Sequence, residues 1–145
     1  MKFFIDANLP ARVARALAQL EPSWTIRCPA DLRSPENPRP EDERDEDFLP
    51  RMEDEGGWVV LTRDTGSKDG NWHVWMECSL TVFFLRGAWN GAEFYDMTAR
   101  ILSYWKGIER EARRRPQGSK LWLRYRGGAI EVVKTSQRQR KRKRR

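Results

Sequence analysis

Two cysteines, Cys28 and Cys78, and one histidine, His73, are the whole of the chain's thiol and imidazole supply. A disulfide framework and a CxxC zinc site need more than that inventory holds, and a serine or cysteine triad with its histidine base loses support. Both cysteines are expected as small buried hydrophobes in a reducing compartment, and His73 as a solvated or hydrogen-bonded side chain. No run approaches the roughly 20 apolar residues of a membrane span. The N-terminus also lacks a basic region followed by an apolar core and cleavage site, so a cytoplasmic location is expected.

Positive charge is abundant but unevenly placed. The formal net charge is +7, and residues 138–145, Arg-Gln-Arg-Lys-Arg-Lys-Arg-Arg, carry seven of the basic residues and no acid, so residues 1–137 are formally neutral. A like-charged run without apolar residues cannot bury itself, yet attracts polyanions by counterion release. The expectation is a single folded domain over residues 1–137 followed by a disordered basic tail, with nucleic acid as the tail's natural partner. At 145 residues, 39% hydrophobic and 11% aromatic, the chain can build one core.

What the chain does have is a pair of aspartates placed alike. Asp6 follows Phe3-Phe4-Ile5 and Asp64 follows Val59-Val60-Leu61-Thr62-Arg63. Short apolar runs of this kind read as buried parallel strands, and open α/β sheets bind ligands beyond the carboxyl ends of their strands. Two such carboxylates can meet in one cleft and hold a hard divalent cation through oxygen.

Between these strands, Asn8-Leu9-Pro10 reads as a helix entry, with Asn8 capping and Pro10 in the first turn. Leu9, Val13, Leu17 and Leu20 form a core-facing stripe on a helix ending near Leu20. Trp24–Cys28 reads as a strand, and Pro29, Pro35, Pro38 and Pro40 as a loop. Six acids within residues 41–47 follow, a cluster that needs solvent, cations or metal around it. Phe48, Leu49 and Met52 mark a helix stopped by Gly56-Gly57, and Pro50 asks for an N-cap near Asp47 or an irregular start at Asp45.

Trp58–Thr62 is the next strand, followed by a polar loop, a short helix over Trp72–Glu77 and a strand over Leu80–Leu85. One long helix is expected from about Gly91 to Arg113-Arg114-Arg115, with Phe94, Thr98, Ile101, Leu102, Trp105 and Ile108 on its apolar face. Leu121–Arg126 and Ala129–Lys134 around Gly127-Gly128 read as an antiparallel hairpin. The fold class is therefore α/β: a three-layer α/β/α domain with a mainly parallel central sheet and a C-terminal β-hairpin. Of the seven tryptophans, Trp58, Trp105 and Trp122 fall on core positions. Trp72, Trp75 and Trp89 lie near loops, where they could stack on bases or cover a partner surface.

Three segments in order, Phe4-Ile5-Asp6-Ala7-Asn8-Leu9-Pro10, Asp45-Glu46-Asp47-Phe48-Leu49 and Val60-Leu61-Thr62-Arg63-Asp64, resemble PIN-like domains, in particular the branch of VapC-type toxin ribonucleases. The resemblance spans roughly residues 2–110. It implies a metal-dependent ribonuclease that is the toxin of a toxin–antitoxin pair, acting on RNA, restrained by an antitoxin protein and able to form a homodimer. Asp6, Asp45 and Asp64 match the family's acids and would be catalytic and metal-binding, with Glu46 and Asp47 as neighbours able to replace Asp45. Asp69 is the nearest match to a fourth metal-binding acid, at a wider spacing than the family's.

A phosphodiester repels hydroxide, so its hydrolysis calls for a cation such as Mg²⁺ or Mn²⁺ to neutralise charge and acidify water. Asn8 and Thr62 are placed to orient the carboxylates, and Arg12 and Arg63 to contact phosphate. The alternative is a PIN-like module that binds RNA or a partner through its basic tail without turnover. A phosphatase built on a nucleophilic aspartate would want a second aspartate where Asn8 stands.

Overall fold

The computed structural model describes residues 1–6, 9–63, 72–87, 94–126 and 129–134. Its strands are β1 (Lys2–Ile5), β2 (Thr25–Arg27), β3 (Trp58–Thr62), β4 (Thr81–Gly87), β5 (Lys120–Arg126) and β6 (Ala129–Lys134). Its helices are α1 (Ala11–Leu20), α2 (Asp45–Glu55), α3 (Trp72–Glu77), α4 (Phe94–Ser103) and α5 (Trp105–Arg114). The six strands form one sheet in the order β2-β1-β3-β4-β5-β6. All neighbours are parallel except β5 and β6, so the terminal hairpin extends the sheet. No helix among the described residues is long and apolar enough to cross a membrane.

Period-two alternation sorts the strand side chains onto two faces. Phe3, Ile5, Val59, Leu61, Phe83, Leu85, Leu121 and Leu123 pack with Val13 and Leu17 of α1, Met97 and Ile101 of α4, and Trp105 and Ile108 of α5. Phe4, Val60, Val82, Phe84 and Trp122 pack with Phe48, Leu49 and Met52 of α2 and Trp75 and Met76 of α3. Both faces are covered, which is why β3 is buried at every position. The steps from β3 to β4 and from β4 to β5 run in the same direction across the sheet, yet α3 lies on one face and α4 and α5 on the other. These two crossovers are therefore of opposite hand, against the strong preference for a right hand. The consequence is that α4 returns to the side of α1.

Several sequence expectations are corrected in detail. Pro10 is the residue before α1, not part of its first turn, and it accepts the N–H of Val13 through its carbonyl. Asn8, the expected cap, lies outside the described residues. Leu20 leaves the core stripe at the helix end and is 62% exposed. The irregular-start alternative describes α2: it opens at Asp45 with Asp47 N–H and Phe48 N–H both bonded to the Arg44 carbonyl, and holds Pro50 inside. The acids of residues 41–47 are balanced by arginines, through Arg33–Glu41, Arg39–Asp42, Arg44–Asp47 and Arg51–Glu43 contacts. Both cysteines are buried free thiols, and burial raises each thiol's pKa.

The expected long helix over residues 91–115 is two helices broken at Tyr104. Tyr104 N–H is shared between the carbonyls of Arg100 and Ile101, and the Ser103 hydroxyl bonds back to the Arg100 carbonyl, a side-chain competitor that weakens a helix end. The Tyr104 ring then lies against Gly107, where an added Cβ would come within 2.7 Å of it. The break turns Trp105 into the core, with its ring 4.6 Å from Phe3 and 5.8 Å from Trp24, centroid to centroid.

Glu111 closes the far end of α5. Its carboxylate is 7% exposed and accepts from Arg115 Nε at 2.8 Å and Arg114 Nη2 at 3.1 Å. Burial pushes its pKa up, but the Arg115 hydrogen bond and the two guanidinium charges outweigh burial, and the net shift is downward. A depressed folded-state pKa stabilises above the unfolded-state value, and that contribution disappears as pH falls through the folded pKa. Glu111→Gln is expected to lower stability by on the order of 1 kcal/mol at neutral pH, since Arg114 is largely solvated. In urea titrations the gap between the two proteins should close on acidification; a gap that does not change with pH would limit Glu111 to packing.

Candidate functional site

At the carboxyl edge of the sheet, Asp6 continues β1 by one residue, its N–H bonded to the Leu61 carbonyl at 3.0 Å. Two residues beyond Phe4 it faces the α2 and α3 side, as Thr62 does two residues beyond Val60. Their side chains meet: the Thr62 hydroxyl donates to Asp6 Oδ2 at 2.7 Å across 56 residues of sequence. Asp6 is 9% exposed and Thr62 fully buried. A hydroxyl donor orients the carboxylate. The Asp6 carbonyl also accepts Leu9 N–H at 3.0 Å, which ties the acid to the residues that lead into α1.

The α2 helix runs antiparallel to the strands, so its first turn comes to this same edge. Of the consecutive acids Asp45, Glu46 and Asp47, Asp45 is the half-buried one, and the other two are exposed beside Arg44. Asp45 Oδ2 accepts the indole N–H of Trp75 at 2.9 Å. Trp75 itself is fully buried, its ring 6.5 Å from that of Phe84. Trp75 is therefore a core residue, not one free to stack on bases or cover a partner surface, and it anchors the start of α2. Nothing local distinguishes it from Trp72, whose side chain lies outside the described residues together with Trp89. Trp58, Trp105 and Trp122 are core residues as expected.

Arg63 follows Thr62 at the edge and is half-buried. Arg12, in the first turn of α1, lays its guanidinium over the ring of Phe94 at 4.0 Å from the centroid. Phe94 had been legible only as a core position of a long helix. Its pairing with Arg12 follows from the return of α4 to the α1 side.

The described donors are oxygens of carboxylate and hydroxyl groups, a set that suits a hard cation and not a soft one. Among the described residues no three His, Cys, Asp or Glu side chains are grouped to hold a metal ion. Asp64, Asp69 and Asn8, three of the expected site residues, lie outside the described residues. The structure thus brings Asp6 and Thr62 into contact and sets Asp45 at the same edge and on the same face.

A family model described as a PIN like domain matches residues 1–87, which include Asp6, Asp45, Thr62 and the strand end before Asp64. No curated protein and no solved structure matches the chain.

Proposed function

Because the chain belongs to the PIN-like domain family, whose members are typically nucleases, we propose that it is a metal-dependent endoribonuclease. The observation that carries this reading is the Asp6 carboxylate, nine-tenths buried at the carboxyl edge of a parallel sheet and oriented by Thr62 at 2.7 Å. Carboxylate oxygens at the carboxyl edge of a parallel sheet suit a hard divalent cation. Asp6 and Asp64 would hold Mg²⁺ or Mn²⁺, with Asp45 as a further ligand or an orienter of water and Asp69 as the fourth acid. When bound, the cation supplies charge neutralisation at the phosphodiester and a lowered pKa for the attacking water.

The protein's own share is positional. Thr62 holds one Asp6 oxygen, Trp75 holds one Asp45 oxygen, and the sheet edge keeps both acids on one side. Arg12 and Arg63 would meet the substrate's phosphates, to which guanidinium is geometrically matched. The role of toxin restrained by an antitoxin protein rests on the motifs' resemblance to VapC-type enzymes.

The test is metal removal and return. Full-length protein stripped with EDTA should cut a labelled single-stranded RNA at least about 100-fold more slowly than protein resupplied with Mn²⁺ or Mg²⁺, corresponding to the several kcal/mol a metal contributes. Cutting that ignores EDTA would overturn the reading. RNA binding without cutting at any metal concentration would favour the alternative of a binding module.

A further inference from the structure

Tyr95 is the most exposed large hydrophobic side chain among the described residues, at 78%. It stands in the first turn of α4, next to Phe94, with the two rings 5.3 Å apart and 69° from coplanar. Phe94 is partly buried against the core and has the Arg12 guanidinium over its ring. One and a half turns further along α4, Arg100 lays its guanidinium over Tyr125, 3.9 Å from the ring centroid. Tyr125 lies near the carboxyl end of β5, paired in register with Gly87 at the end of β4. An aromatic ring open to solvent thus stands on α4 near two arginines, each of which lies over another ring.

The strip borders the edge that carries Asp6, because Arg12 closely follows Leu9, whose N–H bonds to the Asp6 carbonyl. A tyrosine ring this exposed, touching only the edge of the Phe94 ring among the described aromatic side chains, adds little to the core. Its chemistry suits a flat, anionic, unpaired polymer: bases stack on the ring, and guanidinium groups meet the intervening phosphates. A duplex hides its base faces and offers only phosphates. A protein partner would find the one acid of this turn, Asp96, and two arginines without a large apolar patch around Tyr95.

We propose that Tyr95, with Arg12 and Arg100 near it, forms a stacking platform that binds single-stranded RNA and leads it to the Asp6 edge. The inference rests on the nuclease reading for its substrate class, and its test is kept separate from catalysis. Binding of a fluorescein-labelled single-stranded RNA 12-mer to the full chain is measured by anisotropy in EDTA. The salt is high enough that the basic tail contributes little through counterion release.

Tyr95→Ala should weaken binding about 5- to 100-fold, the effect of losing one base–aromatic stack. Tyr95→Phe should stay within about twofold, because the stacking face survives, and the blunt duplex of the same sequence should bind more weakly than the single strand. Unchanged affinity in Tyr95→Ala, or equal affinity for the duplex, overturns the platform. Asp6→Asn is run in parallel: normal binding with unchanged cutting would overturn the nuclease reading and leave the platform intact. Loss of cutting in Asp6→Asn beside unchanged binding in Tyr95→Ala would do the reverse.

Discussion

Asp6→Asn is expected to reduce Mn²⁺- or Mg²⁺-dependent RNA cleavage by on the order of 1,000-fold or more, the loss of several kcal/mol of transition-state stabilisation. The substitution is isosteric, and an amide oxygen can still accept the Thr62 hydroxyl that now reaches Asp6 Oδ2 at 2.7 Å. What it removes is charge. The fold should persist, with an unchanged circular dichroism spectrum and RNA affinity within about twofold of the parent at high salt, where long-range electrostatics are screened. Asp64→Asn should behave alike, because the two acids would hold the same cation. Single-turnover cleavage of a short RNA, with each variant purified by the same route, separates a true loss from a contaminating nuclease. Parental rates in both variants would remove these acids from the chemistry.

Lys120→Ala is expected to destabilise the fold by about 3 kcal/mol, because two buried carbonyls and one half-buried carbonyl would lose their donor at roughly 1–3 kcal/mol each. Lys120 is 3% exposed and directs Nζ to the carbonyls of Cys78 at 2.8 Å, Leu80 at 2.5 Å and Gly118 at 2.8 Å. An ammonium has three donors and no acceptor, so each N–H is used. The contacts join the turn before β4 to the turn before β5, and Gly118 N–H adds a bond to Thr81 Oγ1 at 3.1 Å. Lys120→Met keeps most of the stem and fills more of the space, and should lose somewhat less. Urea unfolding should show a lower midpoint with an unchanged slope, and the melting temperature should fall by on the order of 10 °C. These turns lie at the amino edge of β4 and β5, opposite Asp6. Folded Lys120→Ala should therefore cut RNA at the parental rate below its melting range; a selective loss of cutting would contradict that separation.

Much of the architecture was legible because it is local. Apolar runs bounded by polar residues located β1, β3 and β4, and the three- and four-residue spacing of Leu9, Val13 and Leu17 located α1. Gly127-Gly128 marked the boundary between the paired strands β5 and β6, and alternation of strand and helix implied the parallel sheet. The same logic placed Asp6 at a strand end. It misjudged the segment from Gly91 to Arg115, where an apolar face continued through Tyr104 although the Ser103 hydroxyl and the Tyr104–Gly107 contact interrupt the backbone. It also misjudged Trp75, which a six-residue helix gives no periodicity to place.

The sequence by itself determined the class of fold and the strand end at which Asp6 stands. Hydrophobic period and strand-end position are written residue by residue, and PIN-like motifs are short and contiguous. Only the tertiary structure decided that Thr62 grips Asp6, that Asp45 and not Glu46 or Asp47 turns inward to Trp75, that Lys120 ties two distant turns and that Arg12 rests on Phe94 beside an open Tyr95. Each of these is a meeting of side chains from separate elements. Local pattern states which face of an element is apolar, but the order of strands, the face chosen by each crossover and the resulting neighbours across the sheet arise only when the layers pack.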